Sequence, residues 1–137
     1  MKRLILIVLL VLSGGPAYAE WVMVTSSYHQ EGYSVYIDPV TIRRQGDLVK
    51  MWDLTDFEKM QTAARYAYLS SKVQREFDCA GERVRTLAGA EFSDRMGRGN
   101  AVTSDSILGE WEPVVPNSVG QVLWNHACER SELKRLS

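Results

Sequence analysis

The sequence predicts an α+β fold: a single antiparallel sheet of about six strands with one C-terminal helix packed on a face of the sheet. Three observations predict it. Short runs of alternating apolar and polar residues recur along the chain, separated by Gly-, Pro- and Asp-containing turns. Only one segment, near the C-terminus, has helical spacing behind a capping residue. A cysteine on the inward face of a strand, Cys79, is matched by one on the apolar side of that helix, Cys128.

The chain of 137 residues has a domain's worth of length, with 45% apolar and 24% charged residues. Its first nineteen residues stand apart. Met1-Lys2-Arg3 is a basic start, Leu4 to Leu12 is an unbroken aliphatic run, Ser13-Gly14-Gly15-Pro16 breaks any helix, and Ala17-Tyr18-Ala19 is a small-x-small cut site. This order is that of a secretory signal peptide over 1–19. The aliphatic run is about half the ~20 residues that a membrane span needs. No cysteine lies near the cut, so a lipid-anchored N-terminus is not expected. The domain is then 20–137, periplasmic or secreted and soluble, with no membrane anchor after cleavage. The net charge of −1 becomes more negative when Lys2 and Arg3 leave. That argues against nucleic acid and anionic membrane as partners.

An even pair of cysteines in an oxidising compartment predicts a Cys79–Cys128 disulfide. On the chain-entropy model a bond closing a loop of about fifty residues contributes up to roughly 4 kcal/mol. Two isolated cysteines and two distant histidines have no metal-ligand spacing, so no metal is expected.

In chain order, Trp21 to Val24 opens as a β-rich run and Ser26 to Gly32 is a polar loop. Tyr33 to Ile37 alternates as a half-buried strand that Asp38-Pro39 should end, since proline cannot donate to a ladder. Thr41 to Arg44 and Leu48 to Phe57 form a hairpin about Gln45-Gly46-Asp47. In its second arm Leu48, Trp52 and Leu54 share one face and Val49, Met51 and Phe57 the other; Trp52 is expected in the core. Glu58 to Ala67 is expected to be a loop. Ser71 to Cys79 alternates, with Val73, Phe77 and Cys79 inward; Ala80-Gly81-Glu82 turns, and Arg83 to Phe92 returns with Val84, Ala88, Ala90 and Phe92 inward. Asp94 to Asn100 is a turn and Ala101 to Asp105 a short strand. Two prolines exclude Trp111 to Pro116 from a central strand. Asn117 or Ser118 caps the helix that carries Val119, Val122, Leu123, Ala127 and Cys128; it is expected to end near Glu129 and to fray over Ser131 to Ser137.

No side-chain constellation announces a reaction, and no catalytic residue is assigned. His29 reads as a loop residue and His126 as a helix residue at the core edge, with no nucleophile elbow for either. Asp53 and Asp56, or Glu110 and Glu112, are the only carboxylate pairs to weigh for acid–base chemistry, which ranks last. Gly97-Arg98-Gly99 opens no helix and is a turn. Arg43-Arg44, Arg83, Arg85, Arg95 and Arg98 form local basic spots, read as surface or as a site for acidic partners. Trp111 is either a binding anchor or a cover over the sheet edge.

Several runs together carry a resemblance: Trp21-Val22; Val35-Tyr36-Ile37-Asp38-Pro39; Thr41-Ile42-Arg43-Arg44; Leu48-Val49-Lys50-Met51-Trp52; Tyr68-Leu69-Ser70-Ser71-Lys72; Glu76-Phe77-Asp78-Cys79; Ser104-Asp105-Ser106; Trp111-Glu112-Pro113-Val114; and Leu123-Trp124 before Ala127-Cys128. The chain so resembles the surface-adhesin protein E family of proteobacterial envelope proteins. The resemblance implies a six-stranded antiparallel sheet tied to a C-terminal helix by Cys79–Cys128. It also implies an adhesin-like, non-enzymatic binding protein with a partner in the envelope or extracellular matrix. A small-ligand alternative is haem, which the resemblance also brings in; Met23, Met51, Tyr36 and His126 are its candidate contacts. No cofactor is assigned.

Overall fold

The computed structural model describes residues 20–27, 32–106 and 108–136. Residues 1–19, expected to be a leader, and His29 lie outside the described residues. The elements are β1 (Val22–Ser27), β2 (Tyr33–Gln45), β3 (Leu48–Ala63), β4 (Tyr66–Asp78), β5 (Arg83–Phe92), β6 (Ala101–Asp105), β7 (Glu112–Pro113) and α1 (Val119–Leu136), with a 3-10 turn at Arg95–Gly97. The strands form one antiparallel sheet in sequence order β1 to β6, and β7 pairs with β5. The α+β architecture is therefore the expected one. Two-residue turns at Gly46-Asp47 and Ala64-Arg65 join the central strands, the first needing the left-handed φ of +62° at Gly46.

Four features depart from the expectation. Asp38-Pro39 does not end its strand: β2 runs on for 13 residues through a bulge. Between the pairs Asp38↔Trp52 and Arg43↔Lys50 the register shifts, and the bulge satisfies its own polar groups. The Val40 amide donates to the Asp38 carboxylate at 3.1 Å, Thr41 Oγ donates to the Asp38 carbonyl at 2.7 Å, and the Trp52 amide donates to Thr41 Oγ at 3.1 Å. Glu58 to Ala67 is not a loop but the outer half of the β3–β4 hairpin, with Gln61↔Tyr68 and Ala63↔Tyr66 paired. The expected inward set of β5 is split. Thr86 pairs with Arg75 but Ala88 with Gln74, so Leu87 is an extra residue and the alternation reverses after it. Finally α1 does not stop at Glu129 but continues to Leu136.

Cross-strand partners point to the same side of a sheet, so the strand pairing assigns the faces. Val35, Ile37, Val49, Met51 and Phe77 meet Leu123 and Ala127 of α1, with Ile42 from the bulge; each is 3% exposed or less. At roughly 1.5–3 kcal/mol per fully buried large apolar side chain, this layer is the main cohesive element. Cys79 and Cys128 close it through a disulfide with a Cα–Cα distance of 5.8 Å. Ser118 is the helix cap, its Oγ accepting from the Gln121 amide at 3.2 Å. The last turns of α1 are held by buried Ser131, whose Oγ donates to the Cys128 carbonyl and accepts from Arg44 at 3.0 Å.

The opposite face has a cover of its own. Leu54 is fully buried there, beneath the 3-10 turn, while Trp52 is only half-buried. Buried Ser70 donates from Oγ to the Asp94 carbonyl at 2.6 Å and accepts from the Gly97 amide at 2.8 Å. Asp56 accepts from the Met96 amide at 2.8 Å. The glycines of the turn are needed, since Gly97 and Gly99 have φ of +67° and +79°. Lys72 lies over the rings of Trp21 and Phe92, 5.7 and 5.1 Å from their centroids.

Candidate functional site

The titratable residues singled out in the sequence are mostly consumed by structure. Asp53, 1% exposed on the core face, accepts from Arg75 Nε at 2.7 Å. Burial pushes its carboxyl up and the Arg75 guanidinium pulls it back. Asp56 holds the 3-10 turn on the other face, so the two carboxylates do not converge. Arg83 and Arg85 are paired with Asp78 and Glu76 at 2.8 and 2.5 Å, and both guanidinium groups stack on Trp111, 4.9 and 4.4 Å from its centroid. Trp111 is therefore a half-buried cover at the β5 edge, and these two arginines are not an open basic patch. Arg43 donates to the Val40 and Ile42 carbonyls, Arg44 to the Gly46 carbonyl and to Ser131, and Arg95 to the Glu58 carbonyl.

The candidate haem contacts are not brought together. Met51 is fully buried in the core layer. Met23 and Tyr36 pair with each other on the opposite face, where Met23 is 54% exposed. His126 is half-buried on α1, and burial and then Arg130 hold its pKa below the ordinary value. Among the described residues no group of three His, Cys, Asp or Glu is gathered as a metal site.

A groove that the sequence did not single out offers more. α1 packs on β1 to β4, and on the same face the β4–β6 side holds a groove of about 290 Å³. Its floor and walls include Tyr68, Ser71, Val73, Gly89, Thr103 and Asp105 around Glu91. The pairs Ser71↔Glu91, Glu91↔Thr103, Val73↔Gly89 and Gly89↔Asp105 place six of these residues on one side of the sheet. Glu91 Oε1 accepts from the Tyr66 hydroxyl at a long 3.4 Å. Glu91 Oε2 is buried without a hydrogen-bond partner. Burial and then the Glu91 charge push both the Tyr66 and Tyr68 hydroxyls up. The Leu87 bulge is why Glu91 was missed: simple alternation with Ala90 and Phe92 inward sends Glu91 to the wrong face. The only trace in the sequence is Gly89, whose missing side chain leaves space on the groove face.

The comparisons agree with this architecture. The surface-adhesin protein E family model matches residues 21–129. Crystal structures of Haemophilus influenzae protein E superpose with TM-scores of 0.62 and 0.59, at 11% and 12% identity. They cover 85% and 90% of this chain and 92% of the other in both cases. No curated protein sequence matches this chain. At that identity the structures show the shared fold, and the family model spans most of the chain. The chain belongs to the surface-adhesin protein E family.

Proposed function

We propose that residues 20–137, released from the leader 1–19, work outside the cytoplasm as an adhesin-like, non-enzymatic binding domain for proteins of the envelope or extracellular matrix. The observation that carries this reading is the family match over residues 21–129. Two features support it. The disulfide is at home in an oxidising compartment. Asp53, Asp78 and Glu76 are committed to ion pairs with Arg75, Arg83 and Arg85, and Asp56 to the 3-10 turn. No helix among the described residues is long and apolar enough to cross a membrane. The test immobilises the oxidised protein and passes envelope and matrix extracts over it. Saturable retention of a defined protein is expected; retention of none, from either extract, contradicts the reading.

A further inference from the structure

We infer that the β4–β6 groove is the seat for one lysine or arginine side chain, carried by an extended partner segment that adds to the sheet beside β6. This rests on the protein-binding reading above and names its contact. The first support is the Glu91 carboxylate. One oxygen takes only a long bond from Tyr66, and the other is buried without a donor. A buried carboxylate oxygen left unpaired is costly, and an ammonium or guanidinium supplies the missing N–H groups with a charge-assisted bond. The surroundings suit a cation. Asp105 and the aromatic Tyr68 also line the groove beside Glu91.

The second support is the position of the groove at the sheet edge. β6 is the last strand of the path β1 to β6, and it contributes Thr103 and Asp105 to the groove wall. An extended segment laid along β6 takes backbone hydrogen bonds from that edge and turns alternate side chains toward the groove face. Gly89 on the floor leaves room for the incoming side chain: a Cβ built there meets only ordinary contacts, 3.6 Å from the Lys72 carbonyl oxygen. A larger residue at 89 would occupy the groove without altering a charge.

The probes are two capped pentapeptides, Thr-Val-Lys-Val-Thr and its norleucine counterpart, together with butylamine. They are titrated into the oxidised, exported protein and followed by amide shifts. The lysine peptide is expected to shift the Gly89 and Thr103 amides and to bind about tenfold more tightly than the norleucine peptide, the size of a charged hydrogen bond. Glu91→Gln should abolish that preference and Gly89→Val should weaken the lysine peptide, each with an unchanged melting temperature. Equal binding of the two peptides overturns the proposal, as does a lysine preference that survives Glu91→Gln. Butylamine binding as tightly as the lysine peptide overturns the strand-borne source and makes the groove a free-amine site. If Glu91→Gln retains extract proteins as well as the parent does, the groove is wrong while the binding domain stands. If the parent retains none, the broader reading fails by itself.

Discussion

Ser70 shows how one hydroxyl can hold a loop. Its oxygen bridges the Asp94 carbonyl and the Gly97 amide, fully buried beneath the segment that crosses the outer face of the sheet. Ser70→Ala removes both partners at once and should cost about 1–3 kcal/mol. Urea denaturation measures the loss, and hydrogen exchange at the Gly97 amide should speed up before global unfolding. Asp78 does similar work at the β4–β5 turn. Its carboxylate accepts from the Ala80 and Gly81 amides and from Arg83. The Arg83 hydrogen bond, followed by the Gly81 amide, holds its pKa below the ordinary 3.8. A depressed acid stabilises the fold fully above its unfolded value, and that stability is lost as pH falls through the folded value. Stability should therefore decline below about pH 4 on the acid limb, and Asp78→Asn should lower the plateau and flatten that limb. Melting temperatures between pH 2 and 7 check this; parallel curves for parent and variant contradict it.

At the scale of elements, the disulfide and the core layer both tie α1 to the sheet. Cys128→Ser should cost a few kcal/mol, up to about 4, and expose the helix amides to exchange ahead of the sheet. Leu123→Ala, in the same layer at 1% exposure, should cost about 2–5 kcal/mol with the disulfide intact. An unchanged melting temperature in either variant refutes the corresponding link. These elements were legible because their signals are local: period-two runs in β2 to β5, a serine cap, and apolar spacing through Leu123 and Ala127. What was not legible depended on partners far along the chain. Pro39 passes inside a strand because Asp38 and Thr41 replace the lost ladder bonds. Residues 58–67 become strand because each arm of the hairpin pairs with the other. The tail beyond Glu129 stays helical because Ser131 finds Arg44, 87 residues away. The candidate groove was least legible, since one bulged residue, Leu87, reversed the face on which Glu91 lies.

Taken whole, the molecule is an antiparallel path of strands with α1 over β1 to β4 on one face and the β4–β6 groove beside it on the same face. Its formal net charge of −1 gives no strong long-range field, which supports recognition by surface shape and edge pairing over electrostatic steering. Under the proposed function the domain works outside the cytoplasm as an oxidised, leader-free protein. The most direct test is to fractionate cells expressing the native gene and to measure the intact mass of the protein in each fraction, with and without thiol alkylation. The expected result is a chain beginning at Glu20, outside the cytoplasm, with neither Cys79 nor Cys128 alkylated. A chain that retains the leader, found in the cytoplasm with both thiols alkylated, would contradict it.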